Sequence, residues 1–271
     1  MAIDTSALWD FNNPELSEQR FLDALASASP DEALILKTQI ARSHGLRGDF
    51  ARALQILAEL EPQIGDASAE ARVRYGLELG RCYCSATHPP ESQTAESKER
   101  ARTAYMQSHM LAKAEGLDDL AIDALHMMTF VDTAPAEQLE WNRKALAQME
   151  SSSQPTAKKW AGSLHNNAGY SMYLLGRYED ALREFQLALV ACERDGKPQD
   201  IRIAHWMIAW TLHALGRLDE AVEIQLRLER ECDDAGEPDP YVFEELELLY
   251  HALNNLEKAE FYAGRRKACK S

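Results

Sequence analysis

The residues that could do acid–base chemistry are few and scattered along the chain. Asp123 and His126 are three positions apart, which would place both on one face of a helix as a conceivable acid–base pair. His165 and His205 lie on faces whose other positions are apolar, so a hydrogen-bonded packing role is the simpler interpretation. The sequence contains no G-x-S-x-G, H-E-x-x-H or glycine-rich phosphate loop. Catalysis therefore ranks below binding, and we predict no catalytic residues.

The five cysteines do not form a recognisable metal or redox motif. Only Cys82 and Cys84 are close, and a spacing of two on a helix points the thiols in different directions. That spacing differs from the C-x-x-C of zinc and redox sites. We therefore expect reduced thiols, no metal and no cofactor.

Two tryptophans one helical turn apart are the most unusual feature of the sequence. Trp206 and Trp210 would share one face of a helix, opposite its apolar positions. About forty residues earlier, Asn166, Asn167 and Tyr170 would likewise lie opposite the apolar side of their helix. Exposed apolar patches tend to mark binding sites. The alternative is that both tryptophans pack on a neighbouring helix.

Three arginines in the first third of the chain offer a second kind of site. Arg42, Arg74 and Arg81 could together bind an anionic group. Salt bridges to Glu78 and its neighbours are an equally good interpretation, and the sequence leaves the two open.

The elements that would position these residues are helical hairpins. From Trp160 to Gly196 the pattern predicts a helix over 163–175, a turn at 176–178 and a second helix over 179–194. Similar turns recur at Leu46–Ala53, Leu215–Ala221 and Leu253–Ala259. Small residues at matching positions would let paired helices approach closely. We therefore predict a chain of repeated hairpins.

These hairpins resemble the tetratricopeptide repeat (TPR), whose signature combines W-x2-L-G-x2-Y with A-x3-F. Leu79-Gly80-Arg81-Cys82-Tyr83 matches the first half, and Ala101-x3-Tyr105 and Ala181-x3-Phe185 match the second. The matching small positions recur at intervals of 37 to 48 residues, longer than the usual period of about 34. The sequence therefore resembles the extended-helix variety of bacterial-type soluble TPR proteins.

The resemblance implies an all-α fold, a right-handed superhelical solenoid of about six hairpins. We expect residues 31–271 to form this solenoid as one domain and residues 1–30 to cap its first apolar face. In that cap Trp9 and Phe11 would pack against a neighbouring helix; a peptide-like arm in the protein's own groove is the alternative. The polar insertion at 85–97 is expected to be a tolerated loop, with a lid over the groove as the alternative.

In TPR proteins the first helix of each hairpin lines the concave, ligand-binding groove. The equivalent positions here predict a groove that contains Arg42, Arg74, Glu78, Arg81, Asp123, Met127, Asn166, Asn167, Tyr170, Trp206, Trp210 and Glu244. Asn166 and Asn167 resemble the asparagine of peptide-clamping repeats. The Lys and Arg residues that such clamps place in neighbouring repeats are not reproduced, which argues against the carboxylate-binding mode of co-chaperones.

The function that the resemblance implies is a non-catalytic scaffold for a peptide or protein segment. A sensor that binds a small molecule or short peptide in a closed pocket is the alternative, and an enzyme comes third. The formal net charge of -15 argues against nucleic acid and anionic membrane surfaces as partners. With no signal peptide and no apolar run of about 18 residues, we expect a cytoplasmic protein. Homo-oligomerisation stays open.

Overall fold

The computed structural model describes residues 3–269, and helices are the only regular elements in that range. Contacts between Cα atoms divide the chain into two compact units, unit 1 up to Lys158 and unit 2 from Lys159. The predicted all-α fold is confirmed. One domain over 31–271 stays a prediction.

Unit 1 is built of three helical hairpins with one helix before them and a single helical turn after them. Its helices are α1 (Pro14–Leu25), α2 (Pro30–Leu46), α3 (Phe50–Ile64), α4 (Ala69–Tyr83), α5 (Ala95–Ala114), α6 (Asp118–Val131), α7 (Pro135–Ser151) and the short α8 (Pro155–Lys158). Successive helices from α1 to α7 pack on each other, and α2, α4 and α6 also touch as neighbours. The first helices of the three hairpins therefore lie side by side.

Unit 2 repeats the arrangement with three further hairpins. Its helices are α9 (Ala161–Leu174), α10 (Tyr178–Asp195), α11 (Pro198–Ala214), α12 (Leu218–Asp234), α13 (Pro240–Ala252) and α14 (Leu256–Ala268). Each hairpin packs on the next, and α11 also contacts α13. The six hairpins of units 1 and 2 agree with the number that the sequence predicts.

The turns between paired helices need a residue in the left-handed region of the backbone. Gly176 and Gly216 have φ angles of 72° and 73°, values that an L side chain rarely adopts. In the last hairpin Asn254 takes the same role with a φ of 56°. These are the matching positions of the recurrent turns, so the repeated sequence produces a repeated backbone conformation.

Close helix pairing depends on small residues that face a ring. A Cβ atom at Gly169 of α9 would lie only 2.7 Å from the ring of Phe185 on α10. In unit 1 a Cβ atom at Gly80 would lie 2.4 Å from the buried ring of Tyr105. Ala101 and Ala181, one turn before these rings, are fully buried. The aromatic residue of the signature thus fills the space that the small residue leaves.

The segment before α1 lies against α2. Trp9 stacks on Phe11 with ring centroids 4.8 Å apart, and it meets Phe21 of α1 edge-on at 5.0 Å. Its indole Nε1 donates a hydrogen bond of 3.1 Å to the side-chain oxygen of Gln39, which is buried. The guanidinium of Arg42 lies over both rings, at 5.5 Å and 5.4 Å. This segment therefore covers one side of α2.

The insertion between α4 and α5 is held by contacts within unit 1. His88 stacks on Phe50 with ring centroids 3.7 Å apart, and its Nδ1 lies 3.0 Å from the hydroxyl of Ser85. Thr87 donates to the carbonyl oxygen of Gly45 at 3.3 Å. These contacts anchor the insertion at the α2–α3 turn. Across residues 3–269, no helix combines the length and apolar character needed to cross a membrane.

Candidate functional site

In unit 1 the charged residues of α2, α4 and α6 form a ladder of ion pairs. Arg81 donates to both carboxylate oxygens of Asp123, at 2.6 Å and 2.7 Å, and to Glu78 at 2.6 Å. Arg42 lies 3.8 Å from the same oxygen of Glu78. Both carboxylates are buried. The ladder therefore ties the first helices of three successive hairpins together.

The pKa values of the ladder follow from burial and from these partners. Burial raises the pKa of Asp123, but the positive charges of Arg81 and Arg42 more than offset it, so the pKa lies below its usual range. Burial also lowers the pKa of Arg42 and of His126. Asp123 is thus an ionised carboxylate paired with Arg81, and it is poorly suited to act as a proton acceptor for His126.

Two other residues that the sequence places in the groove are not available to bind a ligand, one because of an ion pair and the other because it is buried. Arg74 donates to Glu70 one turn earlier on the same helix at 2.8 Å. Met127 is 5% exposed and belongs to the core that α4, α5 and α6 share, because α6 is packed on several sides. The expectation that Met127 lines a groove is therefore corrected, and each of the three arginines has an acidic partner.

In unit 2 the first helices present a row of aromatic rings. The ring centroids of Tyr173 and Trp210 are 3.4 Å apart, and those of Tyr170 and Trp210 are 6.2 Å apart, in both cases nearly parallel. Trp206 lies 5.8 Å from Trp210, and its Nε1 donates to the carbonyl oxygen of Tyr241 at 3.3 Å. We call Tyr170, Tyr173, Trp206 and Trp210, from α9 and α11, the aromatic face, and the backbone of Tyr241 at the start of α13 adjoins it.

The spacing of residues on α11 explains how this face arises. Ile203, Trp206, Trp210 and His213 follow each other at intervals of three or four and so form one stripe of the helix. Both tryptophans are half-buried, and Ile203 is 48% exposed. The buried residues of α11, such as Met207 and Leu212, occupy the other side of the helix. The stripe is mostly apolar and only partly covered by the protein, and Trp206 also packs against the core of α12, α13 and α14.

A hydrogen-bonded pair of side chains lies at one end of the aromatic face. His213 of α11 and Glu245 of α13 are joined by a hydrogen bond of 2.7 Å from imidazole Nδ1 to a carboxylate oxygen. Glu245 is 3% exposed, and burial raises its pKa in spite of this hydrogen bond. Burial raises the pKa of Tyr173 to about 12, with smaller contributions from Tyr178 and from the charge of Glu245. The carboxylate therefore lies within electrostatic range of the Tyr173 hydroxyl.

Two cavities adjoin the aromatic face. The larger, of about 540 Å³, lies between α11, α12 and the start of α13 and is lined by Arg202, Ile203, Trp206, Leu228, Cys232 and Tyr241, among others. In its wall Arg202 donates to Glu237 at 3.1 Å. The smaller, of about 260 Å³, is lined by Asn166, Asn167, Cys192 and Ile203, among others. Ile203 lines both, so the cavities flank one stretch of α11.

The comparison with known families identifies the hairpin of the two tryptophans. Residues 203–224, in α11 and α12, match the model of the tetratricopeptide repeat. The chain therefore contains a tetratricopeptide repeat in this hairpin. No curated protein matches its sequence.

Solved structures that are similar to this chain include a protein with a tetratricopeptide repeat sensor. It is the Signal Transduction ATPase with Numerous Domains (STAND) protein with a tetratricopeptide repeat sensor from Pyrococcus horikoshii, at 19% identity and a TM-score of 0.70. The match covers 93% of this chain and 37% of the STAND chain, so this chain spans little more than a third of that protein. A Rap protein complexed with Competence and Sporulation Factor matches less closely, at 14% identity and a TM-score of 0.47, over 98% and 94% of the two chains.

In TPR terms, α9, α11 and α13 are the first helices of the last three repeats. Within them the structure brings Tyr170, Trp206 and Trp210 together, as the sequence predicts. Asn166 and Asn167 lie half-buried, about one turn before Tyr170, at the smaller cavity. Glu244 is paired with Arg266 of α14 at 2.7 Å.

The sequence interpretation missed three residues of this region. Tyr173 is the ring that stacks most closely on Trp210, and it lies 37 residues before it, an interval close to the repeat length. Tyr241 lies 35 residues after Trp206 in the same way. His213 falls one turn after Trp210 on the same stripe. Extending the repeat register to aromatic positions would have identified the two tyrosines, and extending the stripe of α11 would have identified His213.

Proposed function

We propose that this protein is a non-catalytic binding protein that holds a peptide or a segment of another protein against the aromatic face. The observation that carries the proposal is the contiguous row of the rings of Tyr170, Tyr173, Trp206 and Trp210, in which Tyr170 is 45% exposed. Apolar surface left in water forfeits about 25 cal/mol for each Å² that a partner could cover. Contiguous exposed patches of this kind mark interaction sites on folded proteins.

The neighbouring groups suit a peptide. Tryptophan and tyrosine are the residues most often found at the energetic centre of protein interfaces. The amide of Asn166, next to the rings on α9, has both donors and acceptors that a peptide backbone could use. The candidate acid–base pair offers little for catalysis, because Asp123 is bound by Arg81.

The test is a selection of random peptides, displayed on phage, against the full chain. The dissociation constant of the best peptide is then measured for the wild type, Trp206→Ala and Trp210→Ala. We expect each variant to bind about 30-fold more weakly, the loss of about 2 kcal/mol that is typical of an interface hot spot. Trp141→Ala in unit 1 is the matched control, because the ammonium group of Lys144 already lies over the Trp141 ring at 4.2 Å and Trp141 is not part of the aromatic face.

Stability must be measured beside binding, because Trp210 also packs on Tyr173. Thermal melts of the same variants give the folded fraction, and affinity is compared per folded molecule. Equal affinity of the wild type and both tryptophan variants would remove the aromatic face from the site. A selection that yields no binding peptide would count against the function itself.

A second candidate function is suggested by the larger cavity. Its volume of about 540 Å³ is within the range of about 300–1,000 Å³ of small-molecule sites. The repeat of the STAND protein is described as a sensor, which is the role that this candidate would have. Native mass spectrometry of the purified protein decides between the two: a stoichiometric small ligand favours the sensor, and its absence together with peptide binding favours the scaffold.

A further inference from the structure

We infer that the aromatic face recognises a positively charged side chain, a lysine ammonium or an arginine guanidinium, in the segment that it binds. The inference rests on the proposed function, and it adds the chemical class of the partner: a basic peptide segment. Two independent features of unit 2 support it, one in the rings and one in the buried carboxylate beside them.

The rings of the aromatic face lack the cations that cover other rings of this chain. Trp9 lies under Arg42 at 5.5 Å, and Trp141 lies under Lys144 at 4.2 Å. In the part of the chain that the structure describes, no lysine or arginine lies over Trp206 or Trp210. Tryptophan is the aromatic residue that attracts cations most strongly. Where the two tryptophan rings reach solvent, they therefore offer a ligand cation a position that no cation of the described residues occupies.

Glu245 lacks the positive partner that the other buried carboxylates have. Glu78 and Asp123 are both within 4 Å of an arginine nitrogen. Among residues 3–269, the ion pairs of Glu245 include no lysine or arginine, and its partner is His213. Buried charges in proteins are normally paired, because an isolated charge loses its hydration without compensation. The missing charge is one that a ligand could bring.

The two features lie together, and the wider charge agrees with them. Glu245 is in electrostatic range of Tyr173, which stacks on Trp210, and His213 is one turn from Trp210 on α11. Residues 159–271 contain more Asp and Glu than Lys and Arg, and the whole chain has a formal net charge of -15. This negative field favours the approach of a basic segment.

The experiment uses the peptides selected on the full chain. Each lysine or arginine of the tightest peptide is replaced in turn by glutamine and by glutamate, and affinity for the wild-type protein is measured by fluorescence anisotropy. At one basic position we expect the glutamine peptide to bind about tenfold more weakly and the glutamate peptide more weakly still. For the Glu245→Gln variant, the preference for the basic peptide over its glutamine version should fall from about tenfold to about threefold or less. Glu223→Gln, an exposed acid on α12, is the control and should keep the full preference.

The outcomes separate this inference from the function on which it rests. One outcome is that binding depends on Trp206 and Trp210, but the selected peptides are acidic or their glutamine versions keep an affinity within twofold. The inferred cation specificity is then wrong, and the proposed function stands. That result would also mean that His213 supplies enough positive charge for Glu245. If no peptide binds through the tryptophans, both fail. Should Glu245→Gln not fold, the peptide series on the wild-type protein still decides.

Discussion

Replacing Asp123 by asparagine should destabilise the protein by about 3 kcal/mol, because it removes one charge of a buried ion pair and leaves the other. Asp123 accepts two hydrogen bonds from Arg81, and the two side chains are 10% and 12% exposed. Two unit charges about 4 Å apart attract each other by about 4 kcal/mol at an effective dielectric constant of about 20. Breaking such a pair typically costs about 3–5 kcal/mol. Because Arg81 would still be paired with Glu78, we expect a cost at the lower end of this range.

Urea unfolding followed by circular dichroism at neutral pH measures the effect. Glu220→Gln is the control, since Glu220 pairs with Arg217 at the surface and such pairs contribute up to about 1 kcal/mol. In the double variant Arg81→Met and Asp123→Leu, the loss should be smaller than the sum of the two single losses, because no unpaired charge remains from that pair. If Asp123→Asn loses no more stability than the control, the ladder is not the buried, mutually compensated structure described above.

Two further predictions concern the dependence of stability on pH and the packing of paired helices. The hydrogen bond from Arg102 holds the pKa of Asp132 in the folded protein below its usual range. The ionised Asp132 therefore stabilises the fold at pH values above its unfolded pKa of about 4, and this stabilisation is lost as the pH falls through the pKa of the folded state. The stability difference between wild type and Asp132→Asn should therefore shrink in acid; a constant difference from pH 7 to 3 would contradict this. Gly169→Ala should cost about 1–3 kcal/mol because its Cβ would meet the ring of Phe185. Gly264→Ala, with open space around it in α14, should instead stabilise by up to about 1 kcal/mol, and equal effects in melts would refute the packing argument.

The hairpins could be predicted from the sequence because their signals are local. The predicted helix over 163–175 is observed as Ala161–Leu174, and the predicted helix over 179–194 as Tyr178–Asp195. Capping residues, turn glycines and the spacing of apolar positions all act within one turn of the chain. The cap of α2 is an example, since Ser29 and Glu32 bond to each other's backbone in a capping box.

The candidate site could be predicted only in part. Helical geometry is enough to place Trp206 and Trp210 on one stripe of α11, because only the helix's own period is involved. It does not show that Trp206 also packs partly against the core of α12, α13 and α14. Whether a charged residue on such a stripe is free depends on the next helix. Arg81 meets Asp123 across 42 positions of sequence, and the pattern within α4 holds no trace of that partner.

The sequence by itself determined the helices and their turns, since these follow from the periods and conformational preferences of neighbouring residues. Tertiary structure alone decided which polar and aromatic side chains meet between repeats. Met127 was drawn into the core by the helices packed around α6, and Tyr173 was set against Trp210 by the stacking of α9 and α11. Burial of Glu245 next to His213 arose in the same way. Contacts across a helical repeat join residues 30 to 40 positions apart, and the pairing at that distance depends on how the helices pack.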